Sequence, residues 1–313
     1  MPSGKFDRLE PTIFHESWWL ELATENRYSV AEVTTGAGVV GRFPYQINLR
    51  NRLRFCEMPP MTHFLGPAID EGEGSSNTRM LKRLAITREP IEKIPAVSSI
   101  YVKCHRGITD TIAFQDRGFQ TSVQFTHEIA PDTVDGLWKN MRDKTRNVFR
   151  RAQEALAVTM VCDPAEFIRL YISALNDKRI NSYIDFQICQ KLMTAALARG
   201  RGKIFATKNS HGALVAAIFC VWDGASYYYL MSTRSADAGN GAISLLVWEA
   251  IKDAASRGLI FDFDGLASSG SILLYAGFGA AIHPRYIVTW KSPRYRLFRM
   301  PFNLRNPHRN NFL

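Results

Sequence analysis

Apolar residues along the chain alternate in some segments and recur at three and four in others, and the two rhythms predict different elements. Residues 18–22 read as an early helix. Residues 29–33 and 39–49 read as strands, with Gly36-Ala37-Gly38 as the turn between them. Residues 75–86 have a helical period. Residues 100–103 and 121–129 read as strands separated by Arg117-Gly118-Phe119, and Pro131-Asp132 then punctuates the chain.

Beyond that point the pattern sharpens. Trp138, Met141, Thr145, Val148 and Ala152 follow spacings of three and four and predict one face of a single helix. Residues 164–175 and 185–198 predict two further helices, and 203–207 a short strand. Residues 213–222 and 225–231 predict two strands joined at Asp223-Gly224, a strong hairpin signal. Ile243, Leu246, Val247, Ala250, Ile251 and Ala254 make the buried stripe of another helix, with Gly258 where a C-terminal glycine belongs. Residues 259–263 form a very apolar strand, and 286–290 a last one. The order is that of an α+β, or mixed α/β, protein built around a sheet, and not of a barrel or a run of regular βαβ units. A boundary near Ala130 divides the chain into expected domains 1–130 and 131–313.

Bulk properties agree with two ordinary domains. The chain has 313 residues, 46% hydrophobic and 22% charged, which excludes a disordered chain. No stretch approaches the roughly 18 apolar residues of a spanning helix, and the polar N-terminus lacks the apolar core of a signal peptide. A cytoplasmic protein is the expectation. Cys56, Cys104, Cys162, Cys189 and Cys220 stand singly, without CxxC spacing, so free thiols are expected rather than a disulfide framework or a metal site. The net charge of +10 favours polyanionic partners. It is uneven: from Gly265 onward there is no Asp or Glu, while Arg285, Lys291, Arg294, Arg296, Arg299, Arg305 and Arg309 are basic. Tyr286, Trp290, Tyr295, Phe298 and Phe302 are interleaved with them. Such a tail suits nucleic acid or an anionic membrane surface, or packs its aromatics on the body and leaves the arginines wet.

Three stretches resemble a known family. Ala236-Asp237-Ala238-Gly239-Asn240-Gly241-Ala242, which opens the helix after residues 227–231, resembles the Gln/Arg-x-x-Gly-x-Gly/Ala loop of GNAT acetyltransferases. Both glycines are kept, but Ala236 stands where a basic or amide side chain is usual. Ser271-Ile272-Leu273-Leu274-Tyr275-Ala276-Gly277-Phe278-Gly279 resembles the GNAT segment after the fifth strand. Lys144-Thr145-Arg146-Asn147-Val148-Phe149-Arg150-Arg151-Ala152-Gln153 resembles the basic helix of FemAB-like proteins, double-GNAT proteins that transfer aminoacyl or acyl groups to amines. Asp262-Phe263-Asp264-Gly265, followed by Gly277-Phe278-Gly279, is similar to their C-terminal segment. The resemblance covers residues 137–290 well, and the N-terminal half only in outline. It implies two tandem GNAT-like domains, each a mostly antiparallel sheet flanked by helices, with the working site in the second. Members that use aminoacyl-tRNA often carry a long helical-hairpin arm. No segment here is long and heptad-like enough for it, which tilts the expectation to acyl-CoA or acetyl-CoA as donor, with tRNA as the alternative.

The residues themselves supply the chemistry. A helix N-terminus exposes unpaired N–H groups and a partial positive charge, and glycine lets the backbone approach a phosphate closely. Gly239, Asn240, Gly241 and Ala242 are therefore candidates for holding the donor's pyrophosphate, or are a plain strand-to-helix loop. The resemblance makes Tyr275 the acid for the departing thiolate; a buried, hydrogen-bonded aromatic is the bland alternative. Asp262 and Asp264, two apart on a strand, would share one face with Phe263 on the other, and one of them could deprotonate an acceptor ammonium. A salt bridge or a turn cap would explain each equally. Arg142, Arg146 and Arg150, with Lys139, would form a basic stripe able to hold phosphates of a lipid- or nucleotide-linked acceptor, or a solvated face. His283 is a remote candidate base, and no metal site is expected. The expected activity is transfer of an acyl group to a primary amine of an amino-sugar or peptide-like envelope precursor. A peripheral place at the inner membrane face is an option, and so is a non-catalytic binding module, for which the missing basic residue at 236 is the motive.

Overall fold

A computed structural model describes residues 7–36, 38–209, 211–264 and 269–297. Ala37, Gly265, Ser268 and the tail residues Phe298, Arg299, Phe302, Arg305 and Arg309 lie outside the described residues.

After a 3-10 turn at Ile13–His15, the elements run α1 (Ser17–Thr24), β1 (Ser29–Thr35), β2 (Gly38–Arg50), β3 (Leu53–Glu57), β4 (Ala68–Ile69), α2 (Ser76–Lys93), β5 (Ser99–Lys103), α3 (Ile112–Gln115) and β6 (Gln120–Ile129). Then come α4 (Val134–Asn140), α5 (Asp143–Ala155), β7 (Ala157–Met160), α6 (Pro164–Asp177), α7 (Phe186–Ala198), β8 (Gly202–Lys208), β9 (Leu214–Trp222) and β10 (Ser226–Arg234). The last elements are α8 (Ala242–Ser256), β11 (Ile260–Asp262), α9 (Ser269–Gly277) and β12 (Ala281–Lys291). The α+β class is as the sequence implies. The chain forms two compact units: Gln124–Pro284, and Phe6–Val123 with the described part of Arg285–Leu313. The single boundary expected near Ala130 differs from this division, in which the chain returns to the first unit at Arg285.

In the unit that holds Phe6–Val123, β2 pairs antiparallel with β1 and β3, and β3 runs parallel to β5. The end of β12 completes this sheet, antiparallel to β5, from Ile287↔Lys103 to Lys291↔Ser99. Phe43, Cys56, Ile100, Val102, Phe114 and Val288 form its core with Ile91 of α2. Helix α2 outruns the expected end at residue 86, because Pro90 falls in the last turn, where it removes only one hydrogen bond.

In Gln124–Pro284, β6, β11, β10, β9, β8 and β7 lie side by side in that order. Only β10 and β11 run parallel; the other neighbours are antiparallel. Strand alternation gives the sheet two faces. Phe205, Ile218, Cys220, Trp222, Tyr227, Tyr229, Phe261 and Phe263 share one cluster with α5, α8 and α9 through Phe149, Ala152, Leu246, Ala250 and Tyr275. Helices α6 and α7 cover the other face, where Cys189 of α7 lies with its sulfur 3.5 Å from that of Met231.

The long helix expected from Trp138 to Ala152 is two helices. Helix α4 ends at Asn140 and α5 begins at Asp143, with Arg142 extended between them. The cause is tertiary. The Arg142 N–H donates to the Gly277 carbonyl (3.0 Å), and Asn140 Nδ2 donates to that of Gly279 (3.3 Å). A Cβ on Gly277 would fall 2.4 Å from Thr145 Oγ1, and one on Gly279 would fall 2.6 Å from Asn140 Nδ2. The Gly277-Phe278-Gly279 pattern is thus a seat for the α4–α5 corner.

Candidate active site

The site is built where β10 and β11 part. They pair over three residues only, Ser226↔Ile260 to Tyr228↔Asp262, and the register of β10 against β9 then shifts between Tyr229 and Met231. β10 continues to Arg234 while β11 ends at Asp262. In sheets with parallel neighbours, ligands sit outside the carboxyl ends of such strands.

The loop leaving β10 leads to the N-terminus of α8. Gly241 is the N-cap, with φ +94°, and Gly239 has φ +65°; both values strain any side chain. A Cβ on Gly239 would meet nothing within 4 Å, whereas one on Gly241 would lie 2.9 Å from Val148 Cγ1 and 3.1 Å from the Val148 carbonyl. Gly241 is therefore fixed by contact with α5 as well as by conformation. Having no side chain, it cannot cap the first turn of α8, and the N–H groups there remain available to an anion. Asn240 is exposed and Ala242 buried.

The end of β11 is aromatic on the α5–α8–α9 face. Phe263 packs against Tyr275 of α9 with ring centroids 4.2 Å apart and planes tilted by 31°, and the Tyr275 ring lies 5.4 Å from that of His127 on β6. Burial raises the Tyr275 pKa, and a hydrogen bond with Ser271 partly offsets this. The Phe263 N–H donates to the His127 carbonyl (3.0 Å), which continues the β6–β11 ladder and sets the two side chains on one face. His127 is 5% exposed, and its Nδ1 has no hydrogen-bond partner. Burial lowers its pKa, and the charge of Asp262 works against that shift.

Asp262 points to the opposite face. It stands across from Glu128 on β6 and beside Tyr228 on β10. Fully buried, its Oδ1 accepts from the Thr126 hydroxyl (2.5 Å) and from the Asp264 N–H (2.9 Å). The second bond turns the chain out of the strand. The expectation that Asp262 and Asp264 share a strand face is corrected: Asp264 lies beyond β11, with φ +39° and 7% exposure. His283 approaches the buried Glu128 with Nε2 3.7 Å from its Oε2.

The expected basic stripe is also rearranged. Arg142 is the extended link before α5, not part of one helix face with Lys139. Arg146 turns inward, donating to the carbonyls of Trp138 (3.0 Å) and Lys139 (3.3 Å), and it pairs with Asp143. Its guanidinium thus closes the α4–α5 corner. Arg150 lies over the Trp138 ring at 5.6 Å. Arg146 and Arg150 lie on the side of α5 turned away from Val148 and Ala152, against which Gly241 packs. The structure brings Tyr275 together with His127 and Phe263, and Gly241 with α5. It separates Asp262 from Tyr275 by the thickness of the sheet. His127 was missed because a lone histidine carries no spacing motif; its signal is a polar residue at an inward position of strand 121–129.

Residues 139–269 match the acetyltransferase (GNAT) domain family. No curated protein matches the chain. Among solved structures it is similar to FemX, with TM-score 0.69 and 13% identity over 91% of this chain and 94% of that one. It is also similar to the C-terminal domain of an Agrobacterium fabrum protein assigned as a lysylphosphatidylglycerol synthetase (TM-score 0.60, 12% identity, 95% of both chains). A third similarity is to L-PGS from Bacillus licheniformis (TM-score 0.54, 11% identity, 93% of this chain and 96% of that one). At these identities the likeness is one of fold. No described helix is long and apolar enough to cross a membrane.

Proposed function

From residues 139–269, which match the GNAT acetyltransferase domain family, and a fold similar to that of FemX, we propose an N-acyltransferase that moves an acyl group from acyl-CoA to a primary amine. Acyl transfer is the chemistry its family points to; donor, acceptor and roles are the proposal. The observation that carries it is the N-terminus of α8, uncapped by any side chain, opening beside the point where β10 and β11 part. Gly239, Asn240, Gly241 and Ala242 hold the pyrophosphate there through backbone N–H groups. Tyr275, a neutral phenol, gives its proton to the departing thiolate. Asp262 and Asp264, at the end of β11, supply the negative field that draws an ammonium acceptor. Arg142, just before α5, and Arg150, on α5, are exposed and suit an acceptor carrying phosphate, such as a nucleotide- or lipid-linked amino sugar.

A second reading, aminoacyl transfer from charged tRNA, is favoured by one observation: the fold likeness to FemX, to the domain assigned to a lysylphosphatidylglycerol synthetase and to L-PGS spans more than nine-tenths of this chain. Thermal denaturation separates the two. CoA, acetyl-CoA and longer acyl-CoAs, compared at one common concentration, should stabilise the fold according to affinity, by about 2.7 kcal/mol for a ligand at about a hundred times its dissociation constant. A rise that peaks with one acyl chain identifies the donor class. No rise with any of them, together with salt-sensitive binding of charged tRNA, would replace the first reading by the second.

A further inference from the structure

His127 is a buried polar group in Gln124–Pro284 that packing alone does not explain. It is 5% exposed, on the same face as Phe263, with the Tyr275 ring 5.4 Å away. Its Nδ1 is buried without a hydrogen-bond partner. A phenylalanine would fill such a place and leave no nitrogen unsatisfied. The groups around it are named by the elements packed there. Tyr275 comes from α9, and Asp262, with its carboxylate on the other face, from β11. Tyr229 of β10 lies beyond Tyr275, close enough for the two phenols to interact. Among the described residues, the charge that acts on the imidazole is that of Asp262, and burial outweighs it, lowering the pKa and favouring the neutral ring. A neutral imidazole with an unpartnered nitrogen, beside the phenol assigned above to protonate the thiolate, has the chemistry of a proton acceptor.

We infer that His127 is the general base of the transfer, and the residue that returns the proton to Tyr275. This rests on the acyl-CoA reading above. The neutral amine attacks the thioester carbonyl, so that a C–N bond forms and the C–S bond breaks. The surplus amine proton passes to the imidazole, and the Tyr275 hydroxyl proton passes to the thiolate. The imidazolium then reprotonates the Tyr275 phenolate, directly or through one water. The products are an amide and a free thiol, and both side chains end as they began.

The test uses the full chain, with acetyl-CoA as donor and glucosamine as the amine probe, followed by thiol release from pH 5.5 to 9. His127→Gln and His127→Asn should lower kcat by about 100-fold or more, flatten the acid limb of the profile, and leave the acetyl-CoA dissociation constant within about twofold. The same variants are checked for folding by thermal denaturation. Nitrogen NMR of histidine-labelled protein gives a readout without turnover: the His127 resonance should mark a neutral ring at pH 7, and should shift when acetyl-CoA binds and when Tyr275 is replaced by Phe. A folded His127→Gln protein that binds acetyl-CoA and retains both the rate and the acid limb would overturn the assignment. So would a His127 resonance indifferent to acetyl-CoA and to Tyr275→Phe. Wild-type protein that binds no acyl-CoA would instead remove the donor reading, and this role with it.

Discussion

Gly241→Ala separates contact from conformation at the N-terminus of α8. The new methyl would stand 2.9 Å from Val148 Cγ1, 3.1 Å from Ala152 Cβ and 3.1 Å from the Val148 carbonyl oxygen, on a residue with φ +94°. The left-handed conformation costs a side chain about 1–2 kcal/mol, and overpacking against a helix adds about 1–3 kcal/mol. The expected loss is about 2–5 kcal/mol. Gly239→Ala is the control. It shares the left-handed conformation, with φ +65°, but its methyl meets nothing within 4 Å, so only the conformational cost of about 1–2 kcal/mol applies. Guanidinium titration at pH 7.5, read in the transition of Gln124–Pro284 through Trp248, gives both values. Val148→Ala in the Gly241→Ala background should recover part of the loss, because it removes the Cγ1 contact while the carbonyl contact stays. Equal losses for the two glycine variants, or no coupling with Val148→Ala, would show that α5 does not press on this turn, and the account of Gly241 would fall.

Other perturbations follow from the same geometry. His15 and His105 are buried with rings 5.0 Å apart, and burial lowers the His105 pKa to about 4 from 6.5. Neutral in the fold, they stabilise it fully above pH 6.5. That stability is lost as pH falls toward 4, on the order of 3 kcal/mol from His105 alone. Urea titrations at pH 7, 6, 5 and 4 should show the decline, and His105→Gln should flatten it. Arg146→Ala should cost about 1–3 kcal/mol in guanidinium titration by releasing two carbonyls; Arg146→Lys should restore less than half, since one ammonium cannot reproduce the guanidinium fork. Thr126→Val strips a hydroxyl from the buried Asp262 carboxylate and should cost about 1–3 kcal/mol in the same assay, with Thr126→Ser close to wild type. Tyr275→Phe should lower kcat with acetyl-CoA while leaving its binding unchanged; unaltered turnover would remove the acid role.

What the sequence discloses depends on whether a residue answers to its neighbours in the chain or to distant ones. Helix α8 was legible because Ile243, Leu246, Ala250 and Ala254 repeat at the period of a helix packed on one side. The β9–β10 turn was legible because Asp223 does local work: its Oδ1 accepts from the N–H groups of Ala225 and Ser226, both at 2.8 Å. The interruption at Arg142 was not, because its cause is a pair of glycines more than a hundred residues away. Strand alternation correctly placed Asp262 opposite to Phe263, but could not show that Asp262 bends the chain so that Asp264 leaves the strand. The candidate site was half visible: the glycine loop and Tyr275 have neighbours in sequence that mark them, whereas His127 gains its meaning only from β11 and α9.

The return of the chain at Arg285 bears on how the molecule is made. During synthesis the whole of Gln124–Pro284 emerges before Ile287 to Lys291 can reach β5, so the sheet begun by β1, β2 and β3 waits with one side of β5 open. An unpaired strand edge invites pairing with other chains. A chain truncated before residue 285 should thus be more prone to aggregate than one that includes residues 287–291.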